Sequence, residues 1–227
     1  GSFEDTSGGN VNLKSGNTVS EEAVGGSINL KSGYGRNNSS GSFSIRTANA
    51  GDGGVSGLIS MKTGNTRKGS SGSVSLKTGN ATSGTSGSIS IAVGSGTATR
   101  GGNIAVNAGE STDVTGGAFS MVSGYGTATS SGSFSIHTAN AGTGGSTGFV
   151  SLTSGSTTEG SSGSISIRTG SATSGTGGSI SIVVGSGNSS VGGRVIVTAG
   201  ESTDDTGGAF SMVSGYGTAT SSGSFSI

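Results

Sequence analysis

Gly163-Ser164-Ile165-Ser166-Ile167-Arg168-Thr169-Gly170 is the stretch whose pattern recurs along the whole chain. Its third and fifth positions are aliphatic and its second and fourth are Ser. That alternation is the period-2 signature of a strand with one buried face. Gly170 closes the stretch, and a second half made of Ala, Ser, Thr and Gly runs from Ser171 to Gly177. A strand, a glycine turn, a short strand of small residues and a second glycine turn together make one lap of a flattened solenoid.

The same grammar opens units at Gly26, Gly41, Gly57, Gly72, Gly87 and Gly102, then at Gly117, Gly132, Gly148, Gly163, Gly178 and Gly193, and again at Gly208 and Gly223. Units are 15 residues long except those opening at Gly41 and Gly132, which have 16, so that six laps make a super-repeat of 91 residues. Nested periods of this kind are the signature of a repeat architecture. The predicted fold is all-β and has no helix: a β-solenoid, or flattened two-sheet β-helix, of 15-residue coils grouped in a 91-residue, six-coil super-repeat. It divides into an irregular lead (1–25), super-repeat 1 (26–116), super-repeat 2 (117–207) and the start of a third (208–227), all in one continuous solenoid. Stacked laps would place Ile165 above Leu152 and below Ile180, with parallel ladders about 4.8 Å apart. An antiparallel meander of the same segments gives no reason for a near-constant unit length.

Composition excludes an ordinary core. The 227 residues hold 50 Gly and no Pro, Cys or Trp. Such a diet reads as linker or disorder when it is aperiodic; the period and the missing Pro point instead to backbone N–H groups needed in ladders. Without Cys there is no disulfide framework and no thiolate metal site. Eleven basic residues balance eleven acidic ones, which gives no electrostatic reason to bind nucleic acid or insert in an anionic membrane. Neutral surfaces tend to associate with one another. No apolar run reaches the roughly 18 residues of a membrane span. Gly1 and Ser2 read as a repeat remnant or a cloning scar and Ile227 falls within a repeat, so the chain reads as a window of something longer, uncapped in view.

The outward positions carry the candidate contacts. Position six holds Lys14, Lys31, Arg46, Lys62 and Lys77 on successive units, a basic strip that would face solvent, or an anionic polysaccharide or mineral; in super-repeat 2 it becomes Val122, His137, Thr153 and Arg168. Super-repeat 2 is instead more apolar outside, with Ala118, Val122, Phe149, Val183 and Ile196 as candidate lateral contacts. Tyr34, Tyr125 and Tyr216 sit between glycines at one turn of each super-repeat; stacked coils would space them by roughly 29 Å. They are candidate contacts with a neighbour or with sugar rings.

Asn49 and Asn140 lie where the 16-residue laps absorb their extra residue, a place suited to Asn because it tolerates the left-handed conformation. Asn37, Asn38, Asn80 and Asn188 head N-x-S/T triplets and are candidate glycosylation sites. Catalysis finds no support, and no cofactor or metal is expected. His137 is the sole histidine and Arg46 replaces it one super-repeat earlier. The acidic groups at Glu110 and Asp113, and at Glu201, Asp204 and Asp205, read as solvated turn charge ahead of a Ca²⁺ site.

Units such as Gly-Ser-Ile-Ser-Ile followed by Gly-Ser-Ala-Thr-Ser-Gly-Thr-Gly (Gly163–Ile167 and Gly170–Gly177) resemble the long Gly/Ser/Thr repeats of secreted or cell-surface proteins in diatoms and related algae. The resemblance covers nearly the whole chain and implies an extracellular matrix, adhesive or filament setting. The expected function is a segment of an extracellular fibre whose partner is another copy of itself, assembling by coil stacking and lateral sheet packing. An ice- or carbohydrate-binding surface is the alternative, since flat Ser/Thr sheets can order water or face sugars. An enzyme on a β-helix would need a carboxylate cluster in a groove.

Overall fold

A computed structural model describes residues 8–97, 100–188 and 191–226. Gly1, Ser2 and Ile227 lie outside the described residues. Among the described residues there is no helix and no β-strand. The two-sheet solenoid expected from the alternation is therefore not formed, and with it go the stacked ladders and the axial tyrosine spacing. The chain exposes 22958 Å²; a compact protein of 21.3 kDa exposes about 9,000 Å² and its unfolded chain about 31,000 Å². No hydrophobic residue is buried among the described residues. Ile165 is not sandwiched between Leu152 and Ile180; all three side chains are exposed.

The reason lies in where the backbone polar groups find partners. A solenoid needs each lap to donate to the next, but here glycine donors reach back within their own neighbourhood. In the unit Gly1–Ala108, the Gly26 N–H donates to the Gly16 carbonyl (2.9 Å) and the Gly41 N–H to the Gly33 carbonyl (3.0 Å). In the unit Gly109–Ile227, Gly117 donates to Gly109 (2.8 Å), Gly132 to Gly124 (2.9 Å), Gly208 to Gly200 (2.9 Å) and Gly223 to Gly215 (2.8 Å). Each bond pinches off the second half of a lap as a closed loop. The loop tips bend in register with the repeat, at 36–38, 67–69 and 82–84 in the first unit and at 112–114, 127–129, 158–160, 173–175, 203–205 and 218–220 in the second. Folded domains carry roughly one internal hydrogen bond per residue, and loop closures of this kind fall far below that density.

Facing, by contrast, follows the alternation. Leu58 at position two is 85% exposed beside Ile59 at 50%, and Val183 at position six is 82% exposed beside Val184 at 42%. Extended backbone turns successive side chains to opposite sides whether or not a sheet exists.

The two 16-residue laps correct a second expectation. Among the described residues no non-glycine residue has positive φ, so neither Asn49 nor Asn140 is left-handed. The extra residue is absorbed four positions later, where Gly53 (φ 77°) and Gly144 (φ 79°) turn the chain. There the Gly54 N–H donates to the Gly51 carbonyl and the Gly145 N–H to the Gly142 carbonyl, both at 3.1 Å. Glycine adopts positive φ without the Cβ penalty that Asn still carries.

Candidate functional site

The most regular presentation of a large side chain is the tyrosine loop. Loops 33–41, 124–132 and 215–223 are each closed by the glycine–glycine bond described above. Tyr34, Tyr125 and Tyr216 follow the first glycine and are 85%, 87% and 84% exposed. The glycine after each tyrosine is half-buried, because the loop returns against it: a Cβ added at Gly35 would lie 2.6 Å from the Asn38 carbonyl oxygen, and one at Gly217 would lie 2.5 Å from that of Ser221. In the third loop the Gly217 N–H also donates to Ser222 Oγ (3.3 Å). The loop interior is thus filled by backbone, and the phenol ring is left in solvent, where it can meet another molecule.

The other candidate contacts are exposed as well. Val122 (89%), Phe149 (88%), Val183 (82%) and Ile196 (67%) present their side chains to solvent in the second unit. Asn37 and Asn38 sit on a loop tip. Asn80 and Asn188 are exposed, while Ser190, the hydroxyl partner in the Asn188 triplet, lies outside the described residues. Lys14, Lys31, Arg46, Lys62 and Lys77 are all exposed, but without a sheet they do not align as a strip. Arg46, Thr47, Ala48 and Asn49 border a 440 Å³ depression open to solvent.

At the acidic turns the hydroxyls and carboxylates serve the loop itself. Ser111 Oγ accepts from the Val114 N–H (3.2 Å), and Ser202 Oγ accepts from the Asp205 N–H (3.0 Å). Asp205 Oδ1 then accepts from the Thr206 N–H (2.8 Å). Among the described residues no three His, Cys, Asp or Glu side chains gather to hold a metal ion. Ser135 Oγ lies 3.4 Å from His137 Nδ1, with both residues exposed rather than set in a cleft.

Sequence reasoning missed the seventh position of each lap, which clasps the glycine opening the next. Ser15 Oγ donates to the Gly26 carbonyl (2.9 Å) and Thr169 Oγ1 to the Gly178 carbonyl (3.1 Å). A Cβ added at Gly102 would lie 2.6 Å from Val93 Cγ1. Such a close approach explains why the residue opening the lap after Val93 is glycine. The signal was present in the sequence: position seven is always Ser, Thr, Val or Ala, as in Ser32, Thr47, Thr63, Thr78, Val93 and Ala108. Compared with family models, with curated proteins and with solved structures, the chain matches none.

Proposed function

We propose that this chain is a non-catalytic structural segment of an extracellular protein fibre, built by association of copies of the chain with one another. One observation carries the proposal: apolar side chains recur at positions three and five of every lap, and among the described residues none of them is buried. A single chain leaves those rows in water, so the hydrophobic gain is available only between molecules. Near-neutral net charge removes the long-range repulsion that keeps chains apart. The resemblance to secreted and cell-surface algal repeats supports the extracellular setting. Contact runs side to side through the apolar positions and the projecting tyrosines, since the described residues form no sheet to stack.

The test is sedimentation and electron microscopy of the purified chain from micromolar to millimolar concentration. Concentration-dependent, unbranched filaments are expected. A monodisperse monomer throughout the range would overturn the proposal, and thermal hysteresis or glycan binding by that monomer would replace it with a surface that binds ice or carbohydrate.

A further inference from the structure

The chain has three phenols, and all are presented alike. Gly33-Tyr34-Gly35, Gly124-Tyr125-Gly126 and Gly215-Tyr216-Gly217 each open a loop closed by its glycine–glycine bond. A Cβ added at Gly35, Gly126 or Gly217 would strike the carbonyl oxygen of Ser39, Ser130 or Ser221, so the returning backbone lies against the same glycine in all three loops. A Cβ added at Gly33, Gly124 or Gly215 would meet nothing within 4 Å. Each ring therefore stands between one glycine held from within the loop and one open to solvent, with no adjacent side chain to screen its edges.

Charge is sparse in these loops. Loops 124–132 and 215–223 hold no charged residue and loop 33–41 holds only Arg36, whereas the tips at 66–69 and 157–160 carry Arg67 and Lys68, and Glu159. Two copies can bring the second or third tyrosine loop together without opposing like charges. A sugar-stacking site would pair its ring with fixed polar groups, but here the residue on either side of the ring is glycine. That arrangement favours chemistry at the ring itself.

We propose that Tyr34, Tyr125 and Tyr216 are covalent cross-linking sites, joined between copies as dityrosine by a one-electron phenol oxidant of the peroxidase class, with hydrogen peroxide as the electron acceptor. Each phenol gives up one electron and its hydroxyl proton. The two phenoxyl radicals form a carbon–carbon bond between ring positions ortho to their oxygens. The hydrogens at the new bond leave as protons and the oxygens regain theirs from water, which restores both phenols. The peroxide takes up the two electrons and two protons and becomes two molecules of water. With no Cys and no Trp in the chain, methionine is the main competing site of oxidation. Coupling requires only that two loops meet. A chain with three such sites gives branched covalent networks, whereas one site would give dimers. The cross-link adds covalent bonds to the self-association proposed above, on which its place in a fibre rests.

The test treats the full chain with a peroxidase and hydrogen peroxide, then reads denaturing electrophoresis and the dityrosine released by acid hydrolysis. Sedimentation before oxidation measures non-covalent association separately. The native chain should give a ladder extending beyond the dimer. The chain carrying Tyr34→Phe, Tyr125→Phe and Tyr216→Phe should lose that ladder entirely while sedimenting as the native chain does, because phenylalanine keeps the apolar ring. Chains keeping a single tyrosine should stop at the dimer and give equal yields, as the matched exposure of the three rings requires. Val183 supplies the control, being nearly as exposed but set between Ile182 and Val184. Val183→Tyr in the triple-phenylalanine chain should lose most of the dityrosine formed by the chain that keeps Tyr125. Equal yield from that variant would show that the glycine-flanked loop confers nothing and would overturn the assignment. Oxidation that stops at methionine sulfoxide, or dityrosine confined to single chains, would overturn it too. A native chain that associates but forms no dityrosine sinks the cross-link and leaves self-association standing. A chain that is monomeric before oxidation and still forms the ladder does the reverse.

Discussion

Loops 124–132 and 170–178 occupy equivalent places in two laps of the second unit, yet they close differently. In the first the Gly132 N–H reaches the Gly124 carbonyl at 2.9 Å. In the second that backbone bond is missing among those formed, and the Thr169 hydroxyl donates to the Gly178 carbonyl at 3.1 Å instead. The residue before each loop differs accordingly, Ser123 in one case and Thr169 in the other. A branched Cβ puts a methyl group in the closure: a Cβ added at Gly178 would lie 3.2 Å from Thr169 Cγ2. The pattern extends along the chain. Laps with Ser15, Ser32, Ala108, Ser123, Ala199 or Ser214 at this place have the glycine–glycine bond, and laps with Thr or Val do not. Ser154 precedes a loop that lacks the bond despite its small side chain. There the left-handed Gly160 and the Thr157 hydroxyl bond set a different tip. The lesson is that a branched side chain at this place goes with the loss of the glycine–glycine bond, which at Thr169 a hydroxyl bond replaces.

The comparison is broken most severely at the opening glycines. Gly193→Ala sets a methyl group against Val184 Cγ1 and should open that lap at a cost of about 1–3 kcal/mol. Gly132→Ala meets its nearest neighbour, the Gly124 nitrogen, at 3.4 Å and should leave loop 124–132 closed. Nuclear Overhauser contacts between residues 184 and 193, and between 124 and 132, distinguish the two outcomes. Next in size is Gly144→Ala, which forces Cβ into positive φ at about 1–2 kcal/mol; the Gly145 amide should lose its hydrogen-exchange protection.

A reciprocal exchange of the branched and unbranched residues sharpens the rule. Ser123→Thr should remove the Gly132 bond and speed exchange of its amide by about three- to tenfold, the size of one exposed hydrogen bond. Thr169→Ser should slow exchange at Gly178 by a similar factor. If both variants leave exchange unchanged, the methyl group is not what opens the loop. The smallest effect belongs to Thr169→Val, which keeps the branch and removes the hydroxyl. It should cost under about 1 kcal/mol and be read from the carbonyl carbon shift of Gly178.

Some of this architecture was legible before any coordinates. Phe149 at position two and Val150 at position three differ in exposure, 88% against 61%, as alternation demands. The bend at every loop tip follows the glycine spacing. What misled was the inference from one-sided strands to a sheet. Alternation specifies which side chains share a face, but not what covers that face, and a pattern suited to stacked laps equally suits a row left open to another chain. The tyrosine loops were legible as glycine-flanked turns. Their closure was not, because Gly33 and Gly41 carry no side chain from which a partner could be read.

The amino-acid sequence by itself determined the lap of 15 residues, the super-repeat of 91 and the facing of the aliphatic positions. These are local or additive properties that hold whatever the backbone pairs with. Only the tertiary structure decided that the glycine amide opening one lap closes a loop on the lap before it, that Gly53 and Gly144 rather than Asn49 and Asn140 take the left-handed turn, and that the apolar rows remain uncovered. Hydrogen-bond partnership is a competition between a nearby carbonyl and a distant one, and its outcome goes with side-chain branching that periodicity does not register.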